Sequence, residues 1–214
     1  MTNHPKLNAT AYSLLGLINR KSWSAYELTE FMSKSVIRFI MPRSPSQLYS
    51  EPKKLAALGL IEIEKTAKGK QQRTQYHITT AGRDAFQAWL QEAGAPPKIE
   101  YKSLLKFYLV DPTDTDGLKQ KAQEMRSETL EQMQSTLTLL NEIIEQGGIY
   151  RDTVMVASMS SRFGIEEFKA RLNWLDQLDQ WLEQPLEKED MEAWSMKCYQ
   201  QSQQQLKRLL KKYQ

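Results

Sequence analysis

A chain of 214 residues with 29 Lys plus Arg, 26 Asp plus Glu and a formal net charge of +3 can bury one sizeable core or two modest ones. The single cysteine, Cys198, excludes an internal disulfide and a thiolate metal cluster, and no window reaches the roughly 18 apolar residues of a membrane span. No basic leader followed by an apolar run opens the sequence, so the expectation is a soluble cytoplasmic protein with no membrane partner, no metal and no cofactor.

The charge is unevenly spread. Residues 1–94 carry 13 basic and 7 acidic side chains, a net of +6, whereas residues 95–214 carry 16 and 19, a net of −3. Within 43–73, Arg43, Lys53, Lys54, Lys65, Lys68, Lys70 and Arg73 stand against Glu51, Glu62 and Glu64. One half therefore suits a polyanion and the other does not.

In chain order, Asn8 is placed to cap a first helix whose stripe is Ala11, Leu14, Leu15 and Ile18. Ser24 and Glu27 have capping-box spacing and open a second helix, with Ala25, Leu28, Met32 and Phe31 facing inward; Val36–Met41 extends this segment or turns out of it. Ser44-Pro45-Ser46-Gln47 supplies a cap, a proline at the first helical position and a glutamine at the third. Leu48, Leu55 and Leu58 are expected inside and Gly59 ends that helix, while Pro52 predicts a kink or a start nearer to itself.

Leu60–Glu64 and Arg73–Ile78 read as two strands of a hairpin with a polar, basic tip over Lys68–Gln72. Thr79 or Thr80 caps the next helix, whose stripe is Ala81, Ala85, Phe86, Trp89 and Leu90. The order helix, helix, helix, strand, strand, helix closes a winged helix-turn-helix domain over 1–94, and Gly94-Ala95-Pro96-Pro97 marks its boundary.

A helical dimerisation domain is expected over 95–184. Tyr101–Leu109 is an apolar helical segment stopped by Asp111-Pro112. Asp114 or Thr115 starts a longer helix to about Glu145, with Leu118, Ala122, Met125, Met133, Leu137 and Leu140 at apolar positions and Thr129 in register. After Gly147-Gly148, Tyr150–Glu183 is helical with an interruption expected near Gly164 and with Phe168, Leu172, Leu175 and Leu182 along one side. Pro185 separates an amphipathic helix or tail over 185–214. The fold class is thus mainly α, with a two-stranded hairpin in the N-terminal domain and helices behind it.

Duplex DNA presents a major groove that accepts one helix and a phosphate backbone that attracts Lys and Arg. The helix after Ser44 answers the first: Arg43 and Gln47 are candidates for base edges, and Ser46, Lys53 and Lys54 for phosphates, with Ser50 on the same exposed face. Tyr49 reaches phosphate or packs beneath the helix. The hairpin answers the second through Lys68, Lys70 and Arg73, with Gln71 as an uncharged helper.

These residues resemble the PadR family of winged-helix regulators. The resemblance rests on Ala11–Leu17, on Ser24-Ala25-Tyr26-Glu27-Leu28, on Ser46–Leu55 followed by Leu58-Gly59-Leu60, and on Arg73–Gly82. Ser24 stands where many relatives have glycine, and Pro52 where many short members have leucine. The resemblance implies a reading-helix surface at Ser46, Gln47, Tyr49, Ser50, Lys53 and Lys54 and a wing at Lys68–Arg73. It also implies the longer subgroup, whose C-terminal helices pack across a two-fold homodimer, here through Leu104, Leu105, Tyr108, Leu118, Ala122, Met125, Met133, Leu137, Phe168, Leu172 and Leu175.

The function so implied is a dimeric transcriptional regulator, a repressor of a palindromic operator. The family also permits a small hydrophobic or aromatic effector, for which Trp174, Trp181, Trp194, Tyr108, Tyr150 and Phe163 are the aromatic candidates against a simpler role in core and interface. The competing reading is a winged-helix protein-interaction adaptor that no longer binds DNA. An enzyme is not expected, because His77 and Cys198 lie on either side of the domain boundary with no activating partners in their spacing.

Overall fold

The computed structural model describes residues 7–35, 37, 45–68, 71–97, 100–146, 154–183 and 190–214. The expectations for Val36–Met41 other than Ile37, for Arg43, Ser44, Lys70, Gly147-Gly148, Tyr150 and Pro185 fall outside these residues. So do the side chains of Ser46, Gln47, Lys68, Gln71 and Arg73, whose backbones are described.

The N-terminal elements are α1 (Ala9–Arg20), β1 (Trp23–Ser24), α2 (Ala25–Lys34), α3 (Pro45–Ala57), β2 (Ile61–Lys68), β3 (Gln71–Ile78) and α4 (Thr80–Gln91). Asn8 caps α1, its Oδ1 accepting from the Ala11 amide at 2.9 Å. Ser24 and Glu27 form the expected reciprocal box on α2, with Ser24 Oγ accepting from the Glu27 amide at 3.1 Å and the Ser24 amide donating to Glu27 at 2.8 Å. Thr79, not Thr80, caps α4: its hydroxyl accepts from the Gly82 amide at 3.0 Å and donates to the Gly59 carbonyl at 2.8 Å.

The sheet is three-stranded and antiparallel in the order β1-β3-β2, so the hairpin has a partner that the sequence pattern did not reveal. Trp23 pairs with Tyr76 and Ser24 with Gln75. The β2–β3 register runs from Ile61↔Ile78 to Lys68↔Gln71. Lys68, Gln71 and Gln72, expected in the turn, therefore belong to the ladder, because cross-strand hydrogen bonding continues past the last apolar pair.

One core cluster gathers Leu14, Leu15, Trp23, Leu28, Leu48, Leu55, Leu60 and their neighbours. Each such side chain contributes roughly 1.5–3 kcal/mol by leaving water. Tyr12 stacks on Trp89 with ring centroids 4.7 Å apart, joining α1 to α4. Two stripe expectations need correction. Ala81 and Leu90 of α4 are exposed, and the inward positions are Gly82, Ala85, Phe86 and Trp89. Leu58 is also exposed, at 48%, because α3 ends one residue before it and the chain turns at Gly59 in a left-handed conformation, φ 71°. The Leu60 amide then donates to Leu55 O and the Gly59 amide to Ala56 O, each at 2.9 Å, which folds Leu60 instead of Leu58 back onto the core.

The described residues behind this domain form α5 (Lys102–Tyr108), α6 (Thr115–Gln146), α7 (Val154–Leu182) and α8 (Met191–Tyr213). The chain divides into two compact units, 1–98 with 135–166 and 99–134 with 167–214, so α6 and α7 each belong to both. Asp114 caps α6, its Oδ1 accepting from the Gly117 amide at 2.8 Å. α7 continues through Gly164 without the expected interruption, since one glycine inside a helix costs only about 1 kcal/mol.

In the second unit, Ala122 and Met125 of α6 meet Leu175 and Leu178 of α7, with Tyr101, Phe107, Leu172 and Trp174 packed against them. Arg126 spans the same helices, donating to Asp176 at 2.9 Å and to Asp179 at 2.6 Å. Beyond Thr129, the buried positions of α6 are Thr136 and Leu139, whereas Leu137 is 51% exposed. A helix of 3.6 residues per turn drifts off a strict seven-residue repeat, which carries Leu137 outward.

Candidate nucleic-acid interface

α3 has two chemically distinct sides. Leu48, Glu51, Pro52 and Leu55, spaced i, i+3, i+4 and i+7, are buried. Pro52 lies inside the helix and is almost wholly enclosed. It lacks the amide that would bond to Leu48 O, and burial of its ring among apolar neighbours offsets that loss. The opposite side presents Tyr49, Ser50, Lys53 and Lys54, all exposed. Tyr49 is 51% exposed, so it does not pack beneath the helix.

Four of the expected DNA-reading side chains thus share one exposed face. Ser46 and Gln47 lie in the first turn of the same helix. Lys68, Gln71 and Arg73 lie at the far end of the β2–β3 ladder from the Ile61–Ile78 pair, so the backbone puts them at the wing tip.

Glu51 is the residue that sequence reasoning missed. Only 7% exposed, it accepts from Asn8 Nδ2 at 3.0 Å and from Lys54 Nζ at 3.1 Å. Its spacing three residues after Leu48 was a usable signal that it lies on the inward stripe. At the root of the wing, His77 Nδ1 is 2.8 Å from Ser22 Oγ and Nε2 is 3.0 Å from Glu64. These contacts give His77 a structural place at the β1–β3–β2 junction. Burial raises the Tyr76 phenol above its ordinary 10.0, and Tyr49 pushes it the same way.

Among the residues named for dimerisation, Ala122, Met125 and Leu175 are fully enclosed within the chain and Phe168 is nearly so. Leu118, Met133 and Leu172 are half-buried, and Leu104, Leu105, Tyr108 and Leu137 are exposed. Of the aromatics, Trp174 meets Phe107 edge-on at 6.2 Å and Trp181 meets Trp194 edge-on at 5.7 Å. Tyr108 and Phe163 are exposed, at 81% and 71%, and take no part in those pairs. No helix among the described residues is long and apolar enough to cross a membrane, and no group of three or more metal-ligating side chains occurs among them.

With helix, wing and third strand in place, the likeness to known proteins becomes specific. A family profile described as winged helix DNA-binding domain matches residues 28–93. The negative transcriptional regulator PadR of Bacillus subtilis (strain 168) is 24% identical over 177 residues, covering 78% of this chain and 93% of PadR. Over most of its length the chain is thus similar to PadR, and its residues 28–93 match a winged helix DNA-binding domain.

Solved PadR structures share its fold. Bacillus subtilis PadR in complex with operator DNA superposes with a TM-score of 0.69 at 18% identity, over 82% of this chain and 100% of that one. The same PadR in complex with p-coumaric acid gives 0.65 at 17% identity, over 83% and 100%. A PadR-like transcriptional regulator of Bacillus cereus gives 0.65 at 21% identity, over 86% and 99%. The chain accordingly carries a winged helix DNA-binding domain over residues 28–93 and shares the fold of these PadR structures.

Proposed function

We propose that the protein is a homodimeric, sequence-specific repressor that occupies a palindromic operator. The observation that carries this reading is the two-sided α3. Its apolar side is fixed to the core by Leu48, Pro52 and Leu55, and its polar side, with Tyr49, Ser50 and Lys53, is open to a groove. Gln47 and Arg43 would read base edges at the start of the helix, Ser46 and Lys53 would hold phosphate, and Lys68, Lys70, Gln71 and Arg73 would extend the contact from the wing.

The exposed Leu104, Leu105, Tyr108 and Leu137, apolar surface that a second copy would cover, support a two-fold homodimer. Two reading helices would then meet half-sites in successive major grooves, so that the operator mirrors the dimer. The p-coumaric acid complex of PadR supports a small aromatic effector for this chain as well. The protein would act in the cytoplasm, on the DNA it regulates.

Selection of purified protein on a random duplex library, with sequencing of retained molecules and measurement of the mass of the complex, tests this reading. An inverted repeat bound by two chains is the expected result. A folded protein that retains no sequence, with and without p-coumaric acid, would favour the interaction adaptor instead.

A further inference from the structure

The only acidic residue of α3 points inward. Glu51 sits between two groups of opposite consequence: Asn8, whose Oδ1 caps α1 while its Nδ2 donates to Glu51 at 3.0 Å, and Lys54, whose ammonium donates to the other carboxylate oxygen at 3.1 Å. The side chain of Glu51 is 9% exposed and that of Lys54 is 64% exposed. A carboxylate so nearly withdrawn from water relies on its two donors, since an unpaired charge there would be costly. The Lys54 ammonium is therefore held at Glu51, one turn from the exposed Tyr49 and Ser50, while most of its side chain stays in water.

We propose that Glu51 is a positioning residue for DNA reading: it fastens α3 to the cap of α1 and occupies Lys54, leaving Lys53 as the α3 lysine that contacts phosphate. The inference rests on the DNA-binding reading above and deepens it. A lysine whose charge is already matched by a carboxylate releases little counterion on meeting a phosphate, whereas an unmatched one releases about 0.9 ion per contact. The same bridge ties α3 to the start of α1, because Asn8 has one group on each partner. Glu51 thus trades non-specific attraction for a defined helix pose.

The test is a small cycle of variants, measured as affinity against salt concentration on the library-selected duplex and on a scrambled duplex of equal length. Glu51→Gln keeps an oxygen for Asn8 but releases Lys54. The expected result is a log–log salt slope steeper by about 0.9, with tighter binding to scrambled DNA and a smaller preference for the selected site. Adding Lys54→Gln returns the slope to that of the wild type. An unaltered slope in Glu51→Gln, or a double variant as steep as the single, overturns the proposal while leaving the DNA-binding reading intact. Absence of salt-dependent binding by the wild type overturns both.

Should Glu51→Gln fail to fold, Lys53→Gln and Lys54→Gln decide the matter in the native background. Lys53→Gln should lower the slope by about 0.9 and Lys54→Gln by less than half of that. Equal reductions overturn the proposal.

Discussion

The indole nitrogen of Trp23 donates to the main-chain carbonyl of Leu17 over 2.8 Å, and the bond is buried. Trp23 is 2% exposed, pairs with Tyr76 across the sheet, tilts against Phe31 at 5.2 Å and carries the Lys21 ammonium 4.3 Å from its ring centre. A two-residue strand is thereby fixed to the end of α1 and to the centre of the wing.

Replacing this indole by a ring without a donor should be costly. Trp23→Phe leaves the Leu17 carbonyl buried and without that hydrogen, a loss of about 1–3 kcal/mol, with further loss from the smaller ring. Urea denaturation of the variant beside the wild type measures it; a change of only a few tenths of a kcal/mol would mean that water replaces the indole.

Two glycines beside Leu60 should respond differently to alanine. Gly59 has open space around the Cβ position but a φ of 71°, so Gly59→Ala should cost about 1–2 kcal/mol in backbone strain. At Gly82 the added carbon would stand 2.0 Å from the Leu60 carbonyl oxygen, an atom of the main chain that cannot rotate away. Gly82→Ala should be the more damaging of the two, and thermal unfolding of both variants checks the order.

The fork of Arg126 on Asp176 and Asp179 predicts a small, salt-sensitive effect. The carboxylates are 61% and 49% exposed, so water and ions screen them, and Arg126→Lys, which keeps the charge but loses the fork, should cost roughly 0.2–1 kcal/mol. The difference should shrink when unfolding is repeated at high salt.

Alkaline pH should act through two phenols. Burial raises Tyr76, aided by Tyr49; burial also raises Tyr101, aided by Glu128 and opposed by the Thr129 hydrogen bond and by Arg171. A raised value in the folded state means that folding holds the proton more tightly. The associated stability is complete below the ordinary 10.0 and is lost as pH climbs through the folded values. Ultraviolet titration should find late-ionising tyrosines in the wild type and one fewer in Tyr76→Phe and in Tyr101→Phe.

Local chemistry made much of this architecture legible. Asn8, Ser24 with Glu27, and Gly59 each satisfy terminal backbone groups in ways that depend on neighbours only a few residues away, and all three behave as their spacing implies. β1 was hidden because Trp23 and Ser24 are too few to show a period, and their strand character comes from Tyr76 and Gln75, some fifty positions later. Leu58 was misplaced because a continuous helix was projected past a turn that redirects the chain at Gly59. On α3 the polar face was readable from charge; the inward place of Glu51 was signalled by its spacing after Leu48, but its partner was not, since Asn8 lies at the cap of α1, 43 positions earlier.

The reading of α3 and the wing as a DNA surface is tested most directly by the affinity of the wild-type protein for its selected inverted repeat across a series of salt concentrations, beside a duplex carrying a single half-site. The account predicts a linear fall of log affinity with log salt, a slope of several counterions and markedly weaker binding to the half-site. A flat salt response, or equal affinity for half-site, inverted repeat and scrambled duplex, would contradict it.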